Sequence, residues 1–189
     1  MEDQFNMEKI IYKSQVIVVS GVTASGKTTL INELHKEVPL STIISFDDYS
    51  IDQLDTAPQF DDILDDAKLY VNQYDISLMM TEFFVSYNKV PVILIDFPFG
   101  YQHMVLRPYI DKVVYIKTPL DIVFARQLVR DYQERAPEEI TKWAKDYLSF
   151  VRPIFMAHEK VVSSNVDLLL DGELPLDQQI FKVKQFIRI

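Results

Sequence analysis

Cysteine is absent from the 189 residues. That excludes a disulfide framework and any thiolate-held metal, and it suits a reducing compartment. A basic surplus is also absent: 19 Lys and Arg stand against 28 Asp and Glu, a formal net charge of -9. A nucleic-acid backbone and an anionic membrane both reward a basic surface, so neither is expected as a partner. No apolar run approaches the ~18 residues a membrane helix needs. The stretch from Met1 to Asn6 is polar and acidic, without the basic-then-apolar order of an export signal. A soluble cytoplasmic protein is the expectation. Glycine is scarce too, with 4 residues in all, yet two of them lie five apart at Gly21 and Gly26.

What is present begins with that pair. Gly21-Val22-Thr23-Ala24-Ser25-Gly26-Lys27-Thr28 fits G-x-x-x-x-G-K-[ST], preceded by the β-branched run Val16 to Val19 and followed by the helical spacing of Leu30, Ile31 and Leu34. The glycines let successive N–H groups turn inward around a phosphate at a helix N-terminus. Gly21, Thr23, Ala24, Ser25, Gly26, Lys27, Thr28 and Thr29 are thus expected to hold a nucleoside triphosphate. Lys27 should reach the β- and γ-phosphates, and the Thr28 hydroxyl should meet Mg²⁺. ATP and Mg²⁺ are the expected cofactors.

With 48% hydrophobic residues the chain can fill one core, so residues 1–189 are read as a single domain. Residues 1–13 read as an irregular or helical lead-in. Short apolar runs at 16–19, 42–46, 90–95, 113–116 and 166–170 read as strands, and helical patterns separate them. One long helix is expected from Asp61 through Phe83. Thr118-Pro119-Leu120-Asp121 reads as a helix start capped by the threonine hydroxyl. A further helix should begin near Pro137 and stop before Pro153. Pro175 opens a closing helix with Ile180, Val183 and Ile187 as its apolar stripe. Alternation of this kind predicts an α/β fold with a five-stranded parallel sheet, helices on both faces and a small helical lid near 126–140. Ligands of such sheets sit beyond the carboxyl ends of the strands, so the strand ends at Gly21, Asp47, Asp96 and Thr118 should share one rim.

Asp47, closing the second strand, is the candidate base for an acceptor hydroxyl, because that strand is expected beside the phosphate loop. Asp96 ends the third strand, where an acid can hold Mg²⁺ together with Thr28. Arg126, Arg130 and Arg135 concentrate cations after the fourth strand and are candidates for clamping phosphate, with Asp131 orienting one of them. Asp48, Tyr49, Phe99, Tyr101 and His103 are candidates for shaping the acceptor site. His103 reads equally as a surface residue, His35 and His158 as structural or exposed, and Trp143, Tyr147 and Phe150 as a core-facing stripe.

Together these residues resemble the uridine kinase and phosphoribulokinase group of P-loop kinases, which also includes nicotinamide riboside kinase and bacterial pantothenate kinase. Gly21 to Thr29 is similar to its phosphate loop, and Ser45-Phe46-Asp47-Asp48-Tyr49 to its acid-plus-aromatic motif, where the first acid is the base. Arg126 to Asp131 with Glu134-Arg135 resembles its arginine-rich lid. Tyr147, Phe150 to Pro153 and Asn165 to Asp167 fall where that group has its following helix and last strand. The chain departs from the group in three places: Ala136-Pro137 stands where nucleoside kinases have Gly-Arg, Asp96-Phe97 replaces Glu-Gly, and Tyr87 to Val92 runs straight into a strand without the substrate hairpin. The resemblance implies ATP-dependent phosphorylation of a hydroxyl on a small metabolite, a nucleoside or a ribosyl or vitamin-like alcohol. The alternative is an ATP-binding regulator or a hydrolase without a small acceptor. A guanine-specific GTPase is disfavoured because Asn88-Lys89 continues as Val90-Pro91 and not as x-Asp. A homo-oligomer is compatible with the sequence.

Overall fold

A computed structural model describes residues 13–59 and 62–188. The expected lead-in over 1–13 lies outside it apart from Lys13, as does Asp61. The sheet contains β1 (Gln15–Ser20), β2 (Ser41–Ser45), β3 (Val92–Asp96), β4 (Lys112–Lys117) and β5 (Leu168–Asp171), all parallel, in the order β2-β3-β1-β4-β5. Around it lie α1 (Lys27–Glu37), α2 (Ala67–Val71), α3 (Ser77–Ser86), α4 (Leu120–Tyr132), α5 (Pro137–Asp146), α6 (Arg152–Val162) and α7 (Leu176–Ile187). The expected α/β fold with five parallel strands is therefore present.

The period-2 geometry of a strand explains why its sequence reads as a continuous apolar run. Val16 and Val18 of β1 point to one face, with Ile93, Ile95 and Val113, while Ile17 and Val19 point to the other, with Leu94, Val114 and Ile116. The first face packs on Met79, Met80 and Phe83 of α3 and on Ile154 and Phe155 of α6. The second is covered by Leu30, Ile31 and Leu34 of α1 and by Ile180, Val183 and Ile187 of α7. Each such side chain removed from water contributes about 1.5–3 kcal/mol.

Three of these expected elements change. β2 is not beside β1, because β3 lies between them. The long helix from Asp61 to Phe83 is instead a 3-10 turn at Asp62–Leu64 followed by α2 and α3. Two aspartates separate the pieces: Asp66 caps α2 by accepting from Lys68 and Leu69 N–H, and Asp75 accepts from Ser77 N–H ahead of α3. The helix after Pro137 does not stop before Pro153. A π turn at Tyr147–Val151 joins α5 to α6, and the widened turn accommodates a proline that has no N–H to give and would crowd the preceding turn. The expected lid at 126–140 is the second half of α4, a connecting turn and the start of α5.

Thr118 does not cap α4. Its hydroxyl donates across the chain to the Ser25 carbonyl at 2.8 Å, which ties the end of β4 to the phosphate loop. Gly172, after β5, backs against this residue: a Cβ there would lie 1.9 Å from Thr118 Oγ1 and 3.0 Å from its Cα. Gly172→Ala should therefore cost about 1–3 kcal/mol, the usual penalty of overpacking, measured as a lower midpoint in urea. An unchanged midpoint would mean that the Thr118 tether gives way freely.

Candidate functional site

Beyond the carboxyl ends of β1 and β3 lies a cavity of about 790 Å³. The loop from Gly21 to Thr29 forms one side of it. Ala24 and Gly26 take left-handed backbone angles, φ 60° and 109°, which curl the loop before α1 begins. Gly21 has φ 152° and approaches Ser25 and the Ile116 carbonyl so closely that a side chain has no room. The Ser25 hydroxyl is buried in this loop without a partner among the described residues. Lys27 Nζ donates to the Val22 carbonyl at 3.2 Å, folded back along the loop.

Asp96 is adjacent. The β1–β3 register pairs it with Val19, and Phe97 N–H bonds to the Val19 carbonyl, which fixes the carboxylate beside the start of α1. Thr28 Oγ1 donates to Asp96 Oδ2 at 2.7 Å. Burial raises the Asp96 pKa above its ordinary value, opposed by the charge of Lys27 and the Thr28 bond and reinforced by the charges of Asp47 and Asp48. A hydroxyl and one carboxylate, both hard oxygens, fit Mg²⁺, which takes few protein ligands and completes its shell with water and phosphate. Among the described residues no cluster of three acids or histidines offers a fuller cage.

Asp47 lies on a 3-10 turn, Phe46–Tyr49, just past β2, and lines the same cavity. Phe46 anchors that turn, with its ring 5.7 Å from each of Tyr74, Phe97 and Phe99. Arg126 and Arg130 reach the same cavity from α4. Arg126 donates to the Ser25 carbonyl at 3.2 Å, and Arg130 grips Asp131 through a two-pronged contact at 2.7 and 2.9 Å. Asp131 thus orients Arg130, as expected, and the charge of Asp47 also bears on that guanidinium.

Several expected residues lie elsewhere. Arg135 is exposed and points toward Glu139 at 4.0 Å, beyond the end of α4, so it does not join the other two arginines. Asp48, next to Asp47 on the same 3-10 turn, is exposed to solvent and does not line the cavity. Tyr49 donates to Glu82 at 2.6 Å, and Tyr101 to Asp167 at 2.7 Å, so both hydroxyls serve the scaffold. His103 is neither an acceptor-site residue nor on the surface. It is 2% exposed, bonded through Nε2 to the Tyr74 carbonyl and set edge-on to Phe97. Burial lowers its pKa. Of the acceptor-site candidates only Phe99 lines the cavity. In the stripe of Trp143, Tyr147 and Phe150, Tyr147 is buried whereas Phe150 is 40% exposed, a consequence of the π turn shifting the helical register.

Asp52, Ile63, Tyr70, Tyr74, Ile154, Phe155 and His158 also line the cavity, though no motif in the sequence marks them as site residues. His158 carried a signal, since it follows Ile154 by four and Phe155 by three and so interrupts the inward stripe of α6 with a polar group. Its Nε2 is 2.9 Å from the Pro98 carbonyl, which identifies Nε2 as the protonated nitrogen, and Tyr115 Oη lies 3.5 Å from Nδ1. Burial, aided by the charge of Lys27, pushes its pKa down to about 4. The unfolded chain therefore binds this proton between about pH 6.5 and 4 while the folded chain does not. Stability from this group is complete above 6.5 and falls with pH through that window, by about 3 kcal/mol in all. Asp96 acts in the opposite sense from its ordinary value upward, so the effect is best read by difference. Wild type should lose more stability than His158→Gln between pH 7 and 5 in urea melts, and parallel losses would contradict it.

Comparison with known proteins agrees with this geometry. No family model matches the chain. The uridine kinase of Borrelia hermsii (strain HS1 / DAH) is 24% identical over 195 residues, 92% of this chain and 94% of that protein. The uridine kinase of Staphylococcus aureus (strain JH9) is 26% identical over 200 residues, 91% and 96% of the two chains. Among solved structures, shikimate kinase from Aquifex aeolicus superimposes with a TM-score of 0.50 at 16% identity, covering 92% of this chain and 96% of that one. Shikimate kinase from Bacteroides thetaiotaomicron gives 0.50 at 15% identity, with 93% and 99% covered. The chain thus has the fold of the P-loop kinases of small molecules and is similar, along nearly its whole length, to curated uridine kinases.

Proposed function

We propose that the protein transfers the γ-phosphoryl group of ATP to a hydroxyl of a small metabolite, a nucleoside or a related ribosyl or vitamin-like alcohol. The observation that carries this reading is one continuous space bounded by the phosphate loop, Asp47 and an aromatic wall. A hydrolase needs room for a water; this cavity is large enough for a second organic molecule beside the triphosphate.

In the proposed reaction Asp47 accepts the proton of the acceptor hydroxyl, whose oxygen bonds to the γ-phosphorus as the bond to the β–γ bridging oxygen breaks and ADP leaves. Loop N–H groups, Lys27, Arg126 and Arg130 neutralise charge spreading over the transferred group. Thr28 and Asp96 would hold Mg²⁺, which shields the phosphate oxygens when bound. His158, neutral and fixed by the Pro98 carbonyl, keeps the cavity floor polar without adding charge.

The test is ADP formation against a panel of nucleosides and vitamin-derived alcohols. Acceptor-dependent turnover supports the kinase reading. Turnover that is equally fast without any acceptor would replace it with the hydrolase.

A further inference from the structure

The segment 97–102 follows directly on Asp96 and includes Phe99, so two residues of the cavity depend on where it lies. Its backbone is strung between two elements. From β1, the strand that leads into the phosphate loop, the Val19 carbonyl accepts from Phe97 N–H and the Ser20 hydroxyl donates to the Phe97 carbonyl at 2.7 Å. From α6, His158 Nε2–H donates to the next carbonyl, that of Pro98, at 2.9 Å. Gln102 then donates to the Val161 carbonyl of α6 at 3.0 Å. Proline has no N–H, so its carbonyl is the one backbone group by which Pro98 can be held.

His158 is suited to that one bond. The residue is 7% exposed, its ring packs 6.1 Å from Phe99, and the Tyr115 hydroxyl is the group beside its other nitrogen, at 3.5 Å from Nδ1. Burial and the charge of Lys27 keep the imidazole neutral, so it has a single proton to give, and Pro98 takes it. An apolar side chain would fill this place without desolvating a polar ring, so what the histidine adds is the bond itself. Resting on the kinase reading, we propose that His158 is a positioning residue: by holding the Pro98 carbonyl it sets Asp96 and Phe99 at the spacing from the phosphate loop that a metal-bound nucleotide and its acceptor require.

The experiment compares His158→Asn with His158→Gln. The Gln amide nitrogen can stand where Nε2 stands and donate to Pro98, whereas the shorter Asn amide stops short of it. Binding of Mn²⁺ with a non-hydrolysable ATP analogue, followed by calorimetry, needs no phosphoryl transfer. His158→Asn should weaken it about tenfold, the lower end of what losing a group that orients a metal ligand costs, and His158→Gln should restore most of that loss. In turnover assays at saturating Mg²⁺, kcat should fall about tenfold in His158→Asn with little change in the KM for ATP, because the reacting groups are misaligned more than the nucleotide is loosened. A lower urea midpoint in His158→Asn with Mn²⁺ binding and kcat intact, or equal weakening in both variants, overturns the proposal. Should His158→Asn fail to fold, the wild-type protein decides: the Nε2–H proton resonance of His158, identified by its loss in His158→Gln, should shift when Mg²⁺ and the analogue bind, and a resonance that stays in place overturns the proposal. ATP consumed at one rate whatever alcohol is supplied overturns the kinase reading instead, and leaves the effect on Mn²⁺ and analogue binding to be read by itself.

Discussion

Asp47→Asn is expected to lower kcat for phosphoryl transfer by about 10²–10⁴-fold, the range a positioned general base supplies. The substitution keeps the shape of the side chain and removes only its capacity to accept a proton. Its surroundings favour a clean result: Phe46, the residue before it, is buried among three aromatic rings, so the turn has a rigid anchor that does not depend on the carboxylate. ATP affinity should move little or even improve, because a negative charge that bears on both Asp96 and Arg130 is gone. Turnover with the true acceptor measures the effect. A variant within threefold of wild type would remove Asp47 from the chemistry and direct attention to Asp52, another carboxylate that lines the cavity.

The second large effect is Lys27→Ala. Losing a cation aimed at the developing charge should lower kcat/KM by at least about 10²–10³-fold, the loss seen when one preorganised donor is removed. Lys27→Arg should not restore it, since a planar fork cannot replace a compact ammonium in a loop this tight. A second readout follows from Asp96, which Lys27 holds down against the upward push of burial. Without the lysine that carboxyl stays protonated to higher pH, so the acid limb of the residual activity should move upward and more Mg²⁺ should be needed for half-maximal rate. An acid limb unmoved by the substitution would show that Asp96 does not titrate in the active range.

The parts of the site that could be read in the sequence are those built by neighbours in the chain. The phosphate loop, the helix it opens and the acid at the end of β3 each depend on a short local pattern, and each has the expected position. What could not be read was decided by groups far apart in sequence. Thr118 has every local mark of a helix cap, yet its hydroxyl is used 93 residues away on Ser25. From Asp61 through Phe83 the apolar spacing suits one helix, but Asp66 and Asp75 each capture N–H groups locally and restart the chain in a new direction. Asp47 was identified from a strand assumed to adjoin β1; the sheet instead inserts β3 between them, and the aspartate reaches the cavity because the chain turns immediately after β2. The acceptor wall gave almost no signal, since Ile63, Tyr70, Tyr74 and Phe155 come from three separate segments whose side chains look like ordinary core.

That last point has an evolutionary reading. Phe46, Tyr74 and Phe99 belong at once to the hydrophobic interior and to the surface an acceptor would touch. Trimming any of them to admit a bulkier molecule would also open a void beneath the sheet, at about 3–5 kcal/mol for a phenylalanine cut to alanine, a large share of what a domain this size has in reserve. A change in what the cavity admits should therefore be tolerated best at exposed lining residues such as Asp52, where a substitution leaves the melting temperature almost untouched.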